Sequence, residues 1–293
     1  MLTLRGTYPA LVTPFRDGAV DEEALRALVE HVIEGGVEGL VPCGTTGESV
    51  TLSDAEHRRV IEITVAQAKK RVPVIAGVGT VSTAHTIHLA EQARAAGVDG
   101  LLVVCPYYNR PTQAGLEAHF RAVLAAVPLP AVLYNIPGRT GVDLALETLE
   151  RLADVREIVA IKEATGNVLR SLQILARCGD RFTVLSGDDA LTLPILSVGG
   201  AGVISVTANL LPEATSRVTR LFFEGKHDEA RALHLRLHPV HEALFIESNP
   251  GPVKAALVEK RVIAKGVRLP LVWPSDASCA RVSEAVRTFE AAR

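Results

Sequence analysis

Short runs of Val, Ile and Leu alternate along the chain with longer amphipathic segments, and this alternation restricts the fold more than any other feature. The runs cover residues 8–12, 39–41, 74–76, 100–104, 131–134, 158–161, 183–185 and 203–205. Most lack polar–apolar alternation, as expected of strands buried on both faces. Between them, apolar residues recur at helical spacing. Residues 21–34 place Leu25, Leu28, Val29 and Val32 on one face, and residues 53–69 open with Ser53 and Glu56 in a capping-box arrangement. Eight strand–helix units call for a parallel sheet, and eight is the number that closes a TIM (β/α)8 barrel.

An internal echo supports this architecture. Gly36-Val37-Glu38-Gly39-Leu40-Val41 returns as Gly97-Val98-Asp99-Gly100-Leu101-Leu102, and more loosely as Gly200-Ala201-Gly202-Val203-Ile204-Ser205. Each opens on a glycine suited to the left-handed residue past a helix end and turns directly into a strand, which marks the base of a barrel. Beyond about residue 212 the strand signals stop. Residues 212–224, 228–237, 253–258 and 279–291 read as helices, with a Pro-containing connection at 269–274. The expected plan is a barrel domain over residues 1–225 and a C-terminal helical extension over 226–293. A barrel occupies roughly 250 residues, so a chain of 293 accommodates both.

Composition removes several alternatives. With 31 basic and 33 acidic side chains the formal charge is −2, without the basic excess of a nucleic-acid binder, and 48% hydrophobic content disfavours disorder. Cys43, Cys105, Cys178 and Cys279 form no Cys-x-x-Cys pair, against a disulfide scaffold or zinc ribbon. Residues 190–212 carry no charge, but Pro194, Gly199, Gly200, Gly202 and Asn209 break them up, so they read as core rather than a membrane span. The N-terminus shows no secretory pattern, and the expected location is the cytoplasm.

In such a barrel, chemistry belongs at the C-terminal ends of the strands. Four of those ends carry unusual residues: Cys43-Gly44-Thr45-Thr46-Gly47-Glu48, Pro106-Tyr107-Tyr108-Asn109-Arg110-Pro111, Tyr134-Asn135-Ile136-Pro137-Gly138-Arg139-Thr140-Gly141, and Ile161-Lys162-Glu163-Ala164. Three of the four tyrosines lie in these segments. Lys162 ends an apolar run, so its stem should emerge from the barrel interior. Desolvation there would lower its pKa and yield the neutral amine that attacks a carbonyl to form a Schiff base. The bland alternatives are a lysine snorkelling to solvent or one paired with Glu163, which strand geometry points to the opposite face. Tyr134 is suited to relaying protons with Thr45 or Tyr108 as partner, although a half-buried core tyrosine with a bonded hydroxyl would look the same. The Gly44–Glu48 turn offers backbone N–H groups and two hydroxyls for a small carboxylate. Arg139, behind a Pro-Gly turn, could grip a second carboxylate through its planar fork.

Together these segments closely resemble the dihydrodipicolinate synthase family, within the pyruvate-dependent Schiff-base superfamily that includes N-acetylneuraminate lyase. Leu11-Val12-Thr13-Pro14-Phe15, Ser186-Gly187-Asp188-Asp189, Gly202-Val203-Ile204-Ser205-Val206 and Asn249-Pro250-Gly251-Pro252-Val253-Lys254 fit it too, so the resemblance spans nearly the whole chain. Gly-Thr-Thr-Gly-Glu and the lysine are shared across the superfamily. Tyr107-Tyr108-Asn109-Arg110-Pro111 and Arg139-Thr140-Gly141 are more specific to the synthases. The resemblance implies that Lys162 condenses with pyruvate and that the enamine attacks L-aspartate 4-semialdehyde. The product is 4-hydroxy-tetrahydrodipicolinate, committed to diaminopimelate and lysine. It further implies a relay of Tyr134, Thr45 and Tyr108, with Tyr108 supplied across a dimer interface. Thr46 would bind the pyruvate carboxylate, Arg139 the semialdehyde carboxylate, and Gly187 and Ile204 would line the pyruvate pocket. A homotetramer built as a dimer of dimers is expected, with no cofactor, metal, nucleic acid or membrane partner.

One departure bears on regulation. Lysine-inhibited members of the family bind lysine at the dimer interface through polar residues. At the matching positions this chain has Asp54, Val81 and His85, while Ser49, His57 and Tyr107 are kept. Val81 lacks an amide and His85 cannot supply a carboxylate, so feedback by lysine is expected to be weak or absent. Rival readings keep the enamine but change the electrophile to a keto-sugar acid or 4-hydroxy-2-oxoglutarate, or make the chain a catalytically silent paralogue. The first conflicts in part with Arg139, the second with Lys162 and Tyr134. His234, His238 and His241 have zinc-compatible spacing, but they fall in the C-terminal extension with Pro239 interrupting the segment, and a packing role is expected. Gly199-Gly200-Ala201-Gly202 precedes the last strand, on the wrong face for a phosphate loop.

Overall fold

The computed structural model describes residues 2–292. Strands β1 (Gly6–Pro9), β2 (Phe15–Arg16) and β3 (Ala19–Val20) precede helices α1 (Glu22–Glu34) and α2 (Asp54–Ala68). Strand and helix then alternate through β4 (Ile75–Gly77), α3 (Thr83–Ala95), β5 (Gly100–Val104), α4 (Gln113–Ala126) and β6 (Ala131–Asn135). After the short α5 (Pro137–Thr140) and α6 (Leu146–Leu152) come β7 (Ile158–Glu163), α7 (Val168–Cys178), β8 (Thr183–Ser186), α8 (Thr192–Ser197) and β9 (Gly202–Ser205). Helices α9 (Pro212–Phe223), α10 (His227–Ala243), α11 (Gly251–Glu259) and α12 (Asp276–Ala291) complete the chain.

β2 and β3 form a small antiparallel ribbon, and the remaining strands form one parallel sheet in the order β1-β9-β8-β7-β6-β5-β4. The sheet is curled, and its two faces carry separate cores. Inside, Tyr8, Val41, Ile75, Leu102, Val132, Ala160, Leu185 and Ile204 pack together, nearly one from each strand. Outside, a larger cluster joins the strands to the helices through residues such as Leu28, Ile61, Leu101, Phe120, Leu133 and Ile161. Both faces are therefore apolar, which explains why the strand sequences do not alternate. The helices start where their caps say: Asp21 Oδ1 accepts from Ala24 N at 3.1 Å, and Ser53 and Glu56 bond reciprocally at the start of α2.

Two expectations need correction. The run at 39–41 is not a full strand. Leu40 and Val41 make single parallel bridges to Val74 and Ala10, supported by Val41 N→Pro9 O at 2.9 Å and Ile75 N→Leu40 O at 2.8 Å. Pro42 has no N–H to extend the ladder, and Cys43 at φ 57° turns the chain away. Pro239, in turn, does not interrupt the C-terminal helix, because α10 runs through it. Its missing N–H would have bonded Leu235, which faces solvent, while Leu237, Val240 and Ala243 stay buried on the other side. The uncharged stretch 190–212 divides into short helices and β9, and no helix among the described residues is long and apolar enough to cross a membrane.

The helix-to-strand glycines serve close approach as well as turning. A Cβ on Gly202 would lie 1.9 Å from the carbonyl oxygen of Gly6, across the β1–β9 pairing. Gly202→Ala should therefore prise these strands apart and cost about 3 kcal/mol or more in urea unfolding. Gly138→Ala, where an added Cβ meets nothing within 4 Å, should stay within about 0.5 kcal/mol of the parent. Equal midpoints for the two variants would show that the contact is not tight.

Candidate active site

Strand register brings the key pair together. β6 and β7 align Tyr134 with Lys162, and both side chains point into the curled sheet. Lys162 is only 6% exposed, and its Nζ lies 4.1 Å from the centre of the Tyr134 ring. Burial pushes the amine down to about 7. The Asp189 carboxylate pulls it partly back up, and the Arg139 charge reinforces the drop. Glu163, the next residue, faces the other way and is held by Arg170 at 3.0 Å and Asn135 at 3.2 Å. The amine therefore has no carboxylate of its own to hold it charged.

Space for the lysine stem comes from Gly187, after β8. A Cβ there would meet the Ala164 Cβ at 2.6 Å and the Lys162 Cε at 3.1 Å. Ile204 of β9 contributes to the same apolar interior and is 2% exposed. Tyr134 is buried, which pushes its phenol up to about 12, opposed by the Arg139 charge and the Thr45 hydroxyl beside it. Tyr134 reaches a cavity of about 210 Å³ that Gly44, Thr45, Tyr107 and Arg139 also line, while Lys162 lies behind the tyrosine ring and outside the lining. Gly77, Val104 and Tyr134 in its wall place it at the C-terminal ends of β4, β5 and β6. Its polar groups suit a small anion: Arg139 stands on the short helix α5, and the backbone N–H groups of Thr45 and Thr46 donate to no group among the described residues.

Thr46 is buried next to Thr45 at the cavity's edge, and its hydroxyl accepts from Asn249 Nδ2 at 2.9 Å. Glu48, at φ 54°, closes the loop by pairing with Lys254, and both side chains are fully buried. Tyr108 is not brought to Tyr134 within this chain. It is 92% exposed at φ 65°, while its neighbour Tyr107 lines the cavity. Asp189, Asn249 and Lys254 also turn out to matter to the site's surroundings, and their sequence motifs carry no local signal of the partners they reach.

A second cavity of about 140 Å³ adjoins the first and shares Ser49, Val50 and Tyr107 with it. Asp54, His57, Val81 and His85 line it. Asp54 supplies a carboxylate there, but it already meets His85 Nε2 at 2.9 Å and His88 Nε2 at 3.4 Å. Of the C-terminal histidines, His234 and His241 have ring centres 5.6 Å apart but bond elsewhere, His234 Nε2 to Ala190 O at 3.0 Å and His241 Nδ1 to Thr207 Oγ1 at 2.9 Å, and His238 faces solvent. Gly199 to Gly202 lie at the start of β9, at the sheet end away from the cavity.

Burial of Lys162 has a thermodynamic signature. The unfolded chain keeps this proton up to about 10.5, whereas the folded protein gives it up near 7. Between those values only the unfolded chain binds it, so the penalty is greatest below pH 7 and fades as pH rises. Lys162→Met should stabilise the fold by about 2–4 kcal/mol at pH 7 and by less near pH 10, read from urea midpoints. An unchanged or lower midpoint at pH 7 would show that the amine is not penalised.

The family described as the Dihydrodipicolinate synthetase family matches residues 3–288 of the chain. A relative from Sorangium cellulosum (strain So ce56), named 4-hydroxy-tetrahydrodipicolinate synthase, is 56% identical over 100% of this chain and 98% of its own. The solved 4-hydroxy-tetrahydrodipicolinate synthase of Methylacidiphilum fumariolicum SolV superimposes with a TM-score of 0.97 at 46% identity, covering 99% of this chain and 97% of that one. The chloride-inhibited dihydrodipicolinate synthase of Acinetobacter baumannii, solved in complex with pyruvate, gives 0.96 at 43% identity, with 98% and 99% covered.

Proposed function

The chain belongs to the dihydrodipicolinate synthetase family, and on that premise we propose that it is a lyase condensing pyruvate with L-aspartate 4-semialdehyde to give 4-hydroxy-tetrahydrodipicolinate. The observation that carries this reading is the register pair Tyr134–Lys162, a buried amine lowered to about 7 beside a ring that lines a cavity with Thr45 and Arg139. The neutral Nζ adds to C2 of pyruvate, and loss of water gives the imine. Removal of a proton from C3 gives the enamine, whose carbon attacks the semialdehyde carbonyl. The substrate amine then displaces Lys162 as the ring closes, returning the free enzyme.

We assign the proton relay to Tyr134 and Thr45, completed by Tyr108 of the partner subunit. The exposure and positive φ of Tyr108, with the exposed Val50 and Val81 nearby in the chain's surface, support an assembly in which a second copy covers this face. We read that assembly as a dimer of dimers. Thr46 and the free N–H groups of the 44–48 loop take the pyruvate carboxylate, Arg139 takes the semialdehyde carboxylate, and Gly187 and Ile204 wall the pyruvate. The bridges at Leu40 and Val41 favour reading the sheet as a (β/α)8 barrel closed by that segment. We place the domain boundary between α9 and α10, with residues 226–293 as a C-terminal helical extension. A cytoplasmic location fits the reaction and the four free thiols.

A coupled assay tests the function. With pyruvate, the semialdehyde and dihydrodipicolinate reductase, NADPH should be consumed. Lys162→Ala should abolish the rate and Tyr134→Phe should lower kcat about 10²-fold or more. A protein trapped by pyruvate and borohydride but inactive with the semialdehyde would point to another electrophile. Lysine should inhibit only above about 1 mM, since Asp54 is already engaged by His85 and His88 and Val81 offers no amide. Half-inhibition at submillimolar lysine would contradict this.

A further inference from the structure

Asn249-Pro250-Gly251-Pro252-Val253-Lys254 precedes and opens α11, yet two of its side chains reach the 44–48 loop on the far side of the sequence. Lys254 neutralises Glu48 inside the fold and also donates to Gly266 O at 3.0 Å. This contact anchors the loop. Asn249 does something narrower. It is 5% exposed, its Nδ2 donates to Thr46 Oγ1 at 2.9 Å, and its Oδ1 has no partner among the described residues. A buried amide with one hydrogen bond, to one hydroxyl, is a poor packing choice, because its oxygen and its second N–H stay unsatisfied.

The effect on Thr46 follows from hydroxyl chemistry. An N–H directed at Oγ1 occupies one lone pair and turns the Thr46 proton away from Asn249. The Thr46 O–H donates to no group among the described residues, and it belongs to the same turn as the undonated N–H groups of Thr45 and Thr46. We propose that Asn249 is a positioning residue for the substrate carboxylate: by donating to Thr46 it fixes the hydroxyl as a donor towards the anion held by the 44–48 loop. This rests on the reading above that the loop receives the pyruvate carboxylate. The C-terminal segment thereby sets pyruvate affinity without touching the ligand.

The test is a cycle of Asn249→Ala, Thr46→Val and the double variant, with the parent as reference. For each, the pyruvate concentration that half-saturates borohydride trapping is measured, together with KM for both substrates and kcat. Asn249→Ala should raise the half-saturating pyruvate and its KM about tenfold, leaving kcat and the semialdehyde KM within about threefold. In the Thr46→Val background the same substitution should add nothing, since its only route is gone. A full additional loss there, or an equal fall in kcat with pyruvate KM unchanged, would overturn the proposal. Asn249→Asp gives a second reading if the alanine variant folds poorly. An acceptor in place of the donor should turn the Thr46 proton inward and weaken pyruvate at least as much, whereas parental affinity would overturn the assigned direction. If the parent itself is never trapped by pyruvate, it is the underlying functional reading that fails.

Discussion

An amine held out of water is the constraint on which the rest of the site depends. Placing Lys162 among Ile204, Leu185 and Tyr134 makes its charged form expensive, and the fold supplies no carboxylate in contact to offset that cost. Each neighbour serves this end. Glu163 is turned outwards to Arg170, Gly187 leaves room for the stem, and Tyr134 lays its ring over the nitrogen. Asp189 moderates the effect from a distance while its own oxygens are taken by Ser205 Oγ and the N–H groups of Val206 and Thr207. The result is a buried amine near neutrality, the form that the proposed chemistry asks of its nucleophile.

The loop opposite obeys the reverse logic. On the proposed reading residues 44–48 present donors to an anion, yet they end in Glu48, whose bare carboxylate would repel one. Lys254 cancels that charge in a fully buried pair, and Arg268 N gives the other oxygen a bond at 3.0 Å. Arg268 then continues the network to Glu56 and the Thr51 carbonyl, tying the loop to α2. Breaking one member of such a pair leaves a stranded charge, which is why its arrangement fixes the loop geometry strongly. Residues 249–268 thus reach the 44–48 loop through a buried charge pair and hydrogen bonds to Glu48 and Thr46.

Much of this was legible in the sequence. Apolar runs located the strands because burial on both faces removes alternation, and Lys162 stood out because it ended one of them. Tyr134 stood out because it ends the neighbouring run, but its register with Lys162 was not legible: a shift between Ala131 and Val132 sets Tyr134 opposite Lys162, where an unshifted pairing from Ala131–Ile158 would give Ile161. The one-residue bridges at Leu40 and Val41 were overestimated as a strand because hydropathy does not register a following proline. Pro239 was overestimated as a breaker because an exposed carbonyl partner makes its missing bond cheap. Contacts such as Asn249–Thr46 and Glu48–Lys254 join residues about two hundred positions apart, and no local pattern announces them. Asp54 with His85 was half visible: both residues stand out, but their contact at 2.9 Å needs the α2–α3 geometry.

The central claim is that Lys162 is a neutral amine near physiological pH, and its titration tests this most directly. The rate of borohydride trapping by pyruvate, with the parent protein at limiting pyruvate, should rise with pH and level off above a midpoint near 7, where burial places the amine. A rate still climbing towards pH 10, as for an ordinary lysine, would mean that the fold does not activate this residue.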